Sequence, residues 1–219
     1  MVLMAISRRI RIPSDREDVQ SDMMRMISRV LLDGGVMAYP TETVYGLGCL
    51  AFDERPFERI CKLKGRTSHR PFIVLIPSVE WIDRLALVGP DAVALSMRFW
   101  PGPLTLVLEA KSGICERLLG EGRTIALRYS SSSFVSNLMR ELKQPLISTS
   151  ANPEGDSPPL SPEEVIRYFD GREEVIDLLV EWPERMTGTA STVLSLAGCG
   201  ISILREGPIT EEEIRRALR

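Results

Sequence analysis

The amino-acid sequence predicts an α/β fold in which helices cover a mixed β-sheet. Strand-like and helix-like segments alternate along the chain, which is typical of a sheet flanked by helices. The last three strand-like segments follow one another through short links, so part of the sheet should be antiparallel. A chain of 219 residues can bury a substantial core without disulfides or a structural metal. We therefore expect residues 1–219 to form a single domain.

Helices are predicted where apolar residues recur every three to four positions. The first covers 17–33 and stops at Gly34, and the second covers 53–64 and stops at Gly65. Shorter helices are predicted over 78–86, 91–100 and 132–142. Two more begin at capping-box patterns, at 161–164 and 210–213.

Strands are predicted from short apolar runs between these helices. The first lies within 1–12, and the others cover 36–39, 72–76, 104–109, 124–128, 145–149, 175–180, 192–196 and 201–204. The stretch 153–162 is rich in Pro, Gly, Asp and Ser. Because it is short, it indicates a mobile loop over a site and not a domain boundary.

Charge and the rarer residue types exclude several kinds of function. The formal net charge of −3 does not suit a protein that coats nucleic acid. His69 is the only histidine, so a metal site or mechanism that needs two histidines is excluded. The four cysteines form no C-x-x-C pair, which excludes a zinc ribbon or a redox dithiol and favours reduced thiols in the cytosol.

The sequence also predicts a protein that does not enter a membrane. No apolar run approaches the roughly 18 residues of a membrane span. A short apolar stretch at the N-terminus precedes Arg8, Arg9 and Arg11, which reverses the order of charge and hydrophobicity in a secretory signal. We therefore expect a cytoplasmic protein.

Polar clusters follow several of the predicted strands and helices, and ligands of α/β proteins bind at the carboxyl ends of strands. Three clusters rich in hydroxyl groups lie at 40–48, 147–152 and 188–192, and a cationic cluster lies at 62–70. The first three also fit capped turns, and cations at 62–70 are favoured by the helix dipole alone. The residues by themselves leave these alternatives open.

Two further patterns limit the chemistry. Trp100-Pro101-Gly102-Pro103 predicts a rigid turn with a structural role. Neither G-x-x-x-x-G-K-[ST] nor G-x-G-x-x-G occurs in the chain. A nucleotide, if one is bound, must therefore be held by dispersed cations and hydroxyl groups.

Taken in order, these segments resemble the YrdC-like family, the threonylcarbamoyl-AMP synthases. The resemblance covers residues 33–209. It rests on Y-P-T-E-T-V-Y-G-L-G at 39–48, K-G-R at 64–66, F-W-P-G-P-L-T-L-V-L at 99–108, A-L-R at 126–128, S-T-S-A-N at 148–152, S-T-V at 191–193 and L-R-E-G-P-I at 204–209.

The resemblance implies a fold and a reaction. The fold is a twisted mixed sheet flanked by helices around a concave cavity. The reaction joins L-threonine, bicarbonate and ATP into L-threonylcarbamoyladenylate with release of pyrophosphate, and Mg²⁺ accompanies the ATP. A separate transferase complex then passes the threonylcarbamoyl group to adenosine 37 of tRNA, giving the t6A modification. The chain ends soon after the last motif, which implies the short form of the family.

The resemblance also implies roles for individual residues. Lys64 and Arg66 are expected to hold the phosphates and to be catalytic. The ATP site is completed by Thr124, Ser150, Asn152 and Arg205. The threonine site is formed by Thr41, Tyr45, Arg128, Ser148 and Ser191. In that site Arg128 pairs with the carboxylate and Tyr45 shapes the wall, and no residue is expected to bind a metal directly.

The chain departs from the family pattern at two segments that carry site residues. Thr67 follows the K-G-R motif where proline is usual, and Arg70 stands before Pro71 where many members have histidine. After Arg128 the family often has proline and histidine, whereas this chain has Tyr129 and the four serines 130–133.

Two other functions compete with the synthase. A non-catalytic RNA- or ribosome-associated protein would use the basic clusters at 8–11 and 62–70, and weak RNA binding remains a secondary expectation. A domain that adenylates carbamate for hydrogenase maturation would share the fold. That alternative ranks lower because the zinc-finger cysteine pairs of those longer proteins do not occur here.

Overall fold

The structure is a computed structural model and describes residues 6–12, 17–65, 71–198 and 200–219, with the backbone alone for 17–20. Across these residues ten strands form one mixed sheet and seven α-helices surround it. The predicted α/β class and the mixed sheet are therefore confirmed.

The strands are β1 (Arg9–Arg11), β2 (Met37–Tyr39), β3 (Gly46–Leu50), β4 (Ile73–Leu75), β5 (Leu104–Glu109), β6 (Thr124–Arg128), β7 (Leu146–Ser150), β8 (Leu178–Glu181), β9 (Thr192–Ser195) and β10 (Ser202–Arg205). Their order across the sheet is β1-β8-β2-β3-β7-β4-β6-β5-β9-β10. The sheet contains both parallel pairs, such as β4 with β6, and antiparallel pairs, such as β3 with β7.

The α-helices are α1 (Glu17–Leu32), α2 (Glu54–Lys64), α3 (Ile82–Leu85), α4 (Pro90–Phe99), α5 (Ser133–Leu142), α6 (Pro162–Phe169) and α7 (Glu211–Ala217). Asp53 caps the start of α2 by accepting from the Arg55 N–H, and Gly65 ends the helix in a left-handed conformation with φ 59°. The predicted capping box is complete at α7, where Thr210 and Glu213 exchange hydrogen bonds. At α6 Ser161 caps as predicted, but Glu164 accepts from the Leu160 N–H one residue earlier.

Alternating side chains of the sheet supply two apolar cores, one on each face. On β2, Ala38 points into the larger core, whereas Met37 and Tyr39 point into the smaller one. The larger core contains buried residues of α2, α3, α4, α6 and α7. The smaller core contains buried residues of α1 and α5. The sheet is therefore a central layer between two sets of helices, as the period-2 pattern of its strands requires.

The face that carries α1 and α5 is covered over only part of its width. Within the described residues, the smaller core draws side chains from β2, β3, β4, β7 and β8 but none from β5, β6 or β9. On those three strands the residues of this face are small or polar, and Ala126, Val193 and Ser195 are examples. This uncovered part of the sheet forms the floor of a cavity.

The main error of the sequence prediction is β3. The polar cluster at 40–48 predicts a capped turn or a small-molecule pocket, yet Gly46–Leu50 form a fully buried strand between β2 and β7. The glycines obscured the strand pattern, but the packing requires them. A Cβ on Gly48 would lie 2.4 Å from the backbone oxygen of Ile147 and 3.1 Å from the Tyr39 ring.

Smaller differences concern element boundaries. The strand predicted within 1–12 covers only Arg9–Arg11, and residues 1–5 lie outside the described ranges. The helix predicted over 78–86 is a 3-10 turn followed by α3. The strand predicted over 175–180 is shifted to Leu178–Glu181. No helix in the described parts of the chain is long and apolar enough to cross a membrane.

Candidate functional site

A cavity of about 1290 Å³ lies over the uncovered half of the sheet. Its floor comes from β4, β5, β6, β7 and β9, and its walls come from the loops that follow β2, precede β6 and precede β9. Seven of the eleven predicted site residues line it: Thr41, Thr124, Arg128, Ser148, Ser150, Ser191 and Arg205. The structure therefore brings together residues that are far apart in the sequence.

Arg128, at the end of β6, is held at the cavity by two contacts. Its Nε donates to the backbone oxygen of Gly102 at 3.3 Å, and its Nη2 lies 2.9 Å from Oε1 of Glu42. The second contact is an ion pair whose angle does not make a hydrogen bond, so Nη2 is buried without a hydrogen-bond acceptor. The side chain is only 7% exposed. The Trp-Pro-Gly-Pro turn thus has a structural role, which is to support this guanidinium.

Glu42 is the residue that connects this guanidinium to the loop between β6 and α5. Its Oε2 accepts from the Ser130 hydroxyl at 2.6 Å, and its Oε1 accepts from the Ser131 N–H at 2.9 Å and the Ser131 hydroxyl at 3.2 Å. Burial raises the pKa of Glu42, but the charge of Arg128 and the hydrogen bonds from these serines outweigh it and lower that pKa overall. Glu42 is therefore a fixed anion.

Arg205, at the end of β10, is the second guanidinium of the cavity. Its Nε donates to the backbone oxygen of Ser191 at 3.0 Å and its Nη2 donates to the Ser191 hydroxyl at 2.9 Å. Burial and the nearby positive charge of Arg128 lower the pKa of Arg205. No carboxylate of the described residues forms an ion pair with Arg205, so this guanidinium presents an uncompensated positive charge to the cavity, whose lining also includes Glu121. Such a site favours an anionic ligand.

Ser148 lies in the middle of β7, and Tyr39 determines the direction in which its hydroxyl group can donate a hydrogen bond. The Tyr39 hydroxyl donates to the Ser148 hydroxyl at 2.7 Å. Burial raises the pKa of Tyr39 well above its ordinary value, so this phenol stays protonated. Because the Ser148 oxygen accepts this hydrogen bond, its own O–H is left to donate toward the cavity.

The turn from 41 to 45 is held by its own hydroxyl groups. Thr41 donates from its hydroxyl to the Val44 backbone oxygen at 2.6 Å and accepts from the N–H groups of Thr43 and Val44. The segment 182–191 crosses this turn, where the Gly188 N–H donates to the Thr43 oxygen at 3.0 Å. The predicted capped turn and the predicted pocket are therefore both present, because the turn forms part of the cavity wall.

Three predicted ATP-site residues meet where α2 ends beside β7. The Nζ of Lys64 donates to the backbone oxygens of Ser150 at 2.8 Å and Asn152 at 2.7 Å, and its side chain is buried. Asn152 is also buried and donates from Nδ2 to the oxygens of Pro153 and Asp156. Its Oδ1 is buried and has no hydrogen-bond partner among the described residues. Lys64 and Asn152 therefore lie behind the cavity lining that Ser150 provides.

The remaining predicted residues have different positions. Thr124 lines the cavity and donates from its hydroxyl to the Glu121 backbone oxygen at 3.0 Å. Tyr45 is fully buried behind the lining, and its hydroxyl accepts from the Trp182 N–H at 3.0 Å. Arg66 and His69 lie outside the described residues.

Sequence reasoning did not select Glu42, Tyr39 or Ser130, although all three belong to the network around the cavity. The first two stand in the motif at 39–48 that the sequence analysis quoted, so their position beside Thr41 was the available signal. The contact between Glu42 and the serine run spans 88 residues of sequence and had no local signal.

The described part of the chain contains no cluster of side chains that could bind a metal ion. No group of three or more His, Cys, Asp and Glu side chains converges there. Cys49, Cys61 and Cys115 form no disulfide among the described residues, and Cys199 lies outside them.

Comparison with known proteins adds named relatives. A family model for the Sua5, YciO and YrdC proteins, described as telomere recombination, matches residues 29–207. The chain is 36% identical over 205 residues to the threonylcarbamoyl-AMP synthase of Pyrococcus abyssi (strain GE5 / Orsay), which covers 93% of this chain and 59% of that relative. The chain thus spans about three fifths of the length of the curated relatives that it matches.

Solved structures agree with the fold. Sua5 of P. abyssi, solved in complex with L-threonine, has a TM-score of 0.85 at 33% identity and matches 97% of this chain and 61% of that one. YciO of E. coli has a TM-score of 0.84 at 25% identity and matches 95% of this chain and all of that one, 100%.

Proposed function

Because the chain belongs to the Sua5, YciO and YrdC family, we propose that it forms L-threonylcarbamoyladenylate from L-threonine, bicarbonate and ATP. The observation that carries the proposal is the cavity that two guanidinium groups line together, those of Arg128 and Arg205. The relative named threonylcarbamoyl-AMP synthase and the relative solved with L-threonine support the choice of substrates. The reaction class is nucleotidyl transfer.

Threonine would bind at the end of the cavity formed by β6, β7 and the 41–45 turn. Arg128 supplies positive charge for the carboxylate, and the outward O–H of Ser148 supplies a hydrogen-bond donor. Thr41 and Ser191 supply polar wall atoms on either side. Tyr45 supports this wall from behind, because its hydroxyl accepts from the Trp182 N–H in the segment that crosses the turn.

The chemistry needs two bonds to form and no covalent enzyme intermediate. The threonine amine attacks the carbon of bicarbonate, and loss of water leaves a carbamate. A carbamate oxygen then attacks the α-phosphorus of ATP, the bond to the β-phosphate oxygen breaks, and pyrophosphate leaves. Both steps bring anions together, so catalysis consists of positioning and charge stabilisation. Two arginines and several hydroxyl groups suit that task without a histidine.

ATP would occupy the part of the cavity bounded by Thr124, Ser150 and Arg205. Arg205 would neutralise phosphate charge, since no carboxylate of the described residues pairs with it. Lys64 would act on the phosphates together with Arg66, and its buried Nζ would also hold the carbonyl groups beneath Ser150 and Asn152 in place. Mg²⁺ would enter on the ATP phosphates as part of the substrate, with water as its other ligand.

The product has to be consumed by a threonylcarbamoyl transferase. A mixed carbamic–phosphoric anhydride hydrolyses readily, so a transferase complex that modifies tRNA would take it directly after release. We infer that the chain would act in the first half of t6A synthesis and in the cytoplasm, where tRNA is modified. The competing RNA-binding function has weaker support, since the chain carries a net charge of −3 and Arg9 and Arg11 are both engaged by Glu181.

The test is an assay of the purified chain with ATP, L-threonine, bicarbonate and Mg²⁺. Pyrophosphate release is measured, the adenylate is identified by mass spectrometry, and each substrate is omitted in turn. The proposal expects both products only when all three substrates are present. A folded protein that releases no pyrophosphate and binds RNA with steep salt dependence would instead support the RNA-binding alternative.

A further inference from the structure

Two of the three nitrogens in the Arg128 guanidinium already face partners within the protein. Nε donates to Gly102 and Nη2 faces Glu42, both within the protein. Nη2 is also fully buried, so it does not reach a ligand in the cavity. Nη1 is therefore the nitrogen that remains for a ligand, although arginine usually meets a carboxylate through two nitrogens.

The partner that determines this orientation is itself rigidly held. Both carboxylate oxygens of Glu42 accept hydrogen bonds from Ser130 or Ser131, and the Glu42 backbone oxygen accepts from the Thr187 hydroxyl at 3.1 Å. Its side chain is 17% exposed. A carboxylate with these contacts cannot rotate away from Arg128 without breaking three hydrogen bonds.

We propose that Glu42 is a positioning residue for the substrate carboxylate, because it fixes the Arg128 guanidinium so that Nη1 alone points into the cavity. The inference deepens the proposed function and rests on it, since it assumes that the ligand of Arg128 is the carboxylate of an α-amino acid. The substrate carboxylate would therefore contact Arg128 through one nitrogen only. A second donor is then needed to orient the carboxylate, and the Ser148 O–H is available on the adjacent strand β7.

The alternative role for a cavity carboxylate is that of a general base for the threonine amine. Two observations oppose it. The pKa of Glu42 is lowered, which makes it a poor proton acceptor near neutral pH. Its two oxygens are also already occupied by the serines and the guanidinium. Positioning is therefore the role that the contacts support.

The inference also gives the serine run a function. Tyr129 and the serines 130–133 stand where proline and histidine often follow the arginine in the family pattern. Two of these serines supply the three hydrogen bonds to Glu42, and Ser132 caps α5 by accepting from the Val135 N–H. The loop therefore anchors the acid that orients Arg128.

The test compares Glu42→Gln with Glu174→Gln. Glu174 forms a half-buried ion pair with Arg59 outside the cavity, so its substitution controls for the loss of an arginine–glutamate pair. Threonine affinity is measured by calorimetry, and KM values for threonine and ATP are measured from pyrophosphate release. Thermal unfolding confirms that each variant is folded at the assay temperature.

We expect Glu42→Gln to raise the threonine Kd and KM about tenfold, which corresponds to about 1.4 kcal/mol, with the ATP KM changed by less than about twofold. The Glu174→Gln variant should leave both values near those of the unmodified chain. An unchanged threonine Kd in folded Glu42→Gln, or equal rises in both KM values, would overturn the inference. Failure of the unmodified chain to release pyrophosphate would refute the proposed function instead.

A second substitution keeps the inference testable if Glu42→Gln does not fold. Ser130→Ala leaves both charges in place and removes one of the hydrogen bonds that hold Glu42. It should raise the threonine Kd in the same direction and by a smaller factor, again without a change in the ATP KM. No change in threonine affinity for this folded variant would contradict the positioning role of the serine anchor.

Discussion

Substitution of Arg128 should change the KM for threonine and the KM for ATP to different extents. In Arg128→Ala we expect the threonine KM to rise at least tenfold, because one charge-assisted contact is worth about 1.5–3 kcal/mol. The ATP KM should rise only slightly, since the phosphates are proposed to bind at Arg205. Steady-state kinetics with each substrate varied in turn measures both. Arg185→Ala, which removes an exposed ion pair with Glu164, is the matched control. Equal rises in both KM values would reject this assignment.

Tyr39 acts on the ligand through Ser148. In Tyr39→Phe we expect the threonine KM to rise about threefold to tenfold, because the Ser148 hydroxyl loses the donor that directs its proton and a net hydrogen bond is worth about 1 kcal/mol. The same kinetic assay measures it. Tyr168→Phe removes a hydroxyl that donates to Ser157 outside the cavity and serves as the control. If both variants behave alike, the Tyr39 hydroxyl has no role in orienting Ser148.

Lys64 combines a proposed role in catalysis with a role in packing. In Lys64→Ala we expect adenylate formation to be abolished. The melting temperature should also fall, because the backbone oxygens of Ser150 and Asn152 lose the hydrogen bonds that the buried Lys64 Nζ donates to both. Activity is therefore compared at a temperature where circular dichroism shows the variant to be folded. Turnover equal to that of the unmodified chain would contradict the phosphate role.

At the level of elements, β3 depends on small residues in the centre of the sheet. In Gly48→Ala the new Cβ would lie 2.4 Å from the Ile147 backbone oxygen, and overpacking of this kind costs about 1–3 kcal/mol. Urea unfolding should show a loss in this range. Gly89→Ala is the control, because nothing lies within 4 Å of its added Cβ. Equal stability of the Gly48→Ala variant and the unmodified chain would show that β7 can move away from the added Cβ at no cost in the free energy of folding.

The elements also show what sequence patterns can and cannot predict. Strands such as β5 and β6 were predicted at their observed bounds, because their apolar runs are continuous and their ends are polar. The strand β3 was missed, because Gly46 and Gly48 weaken the apolar pattern for a reason that lies in other strands. Likewise Arg128 and Ser148 were identified from motifs. The contact of Glu42 with Ser130 could not be predicted from a motif, because only the fold brings these two residues together.

For the whole molecule, the Glu42 network links stability to pH. A carboxyl whose pKa is lower in the folded state stabilises the fold above its unfolded pKa of about 4.5, and that stabilisation is lost as pH falls through the folded value. The unmodified chain should therefore unfold at higher urea than Glu42→Gln at pH 7. The difference should shrink below pH 4.5. A constant difference across this range would contradict the lowered pKa.

The strand order has a consequence for how the protein is made. The strand β8 joins the sheet beside β1 and β2, and the next two strands, β9 and β10, join it at the opposite end. The cavity therefore receives Ser191 and Arg205 only after the strands β4 to β7 of its floor have been synthesised. During synthesis, the nascent chain can carry the threonine-facing groups of β6 and β7 but not yet the second guanidinium. Ligand binding can thus stabilise only chains whose translation has passed β10.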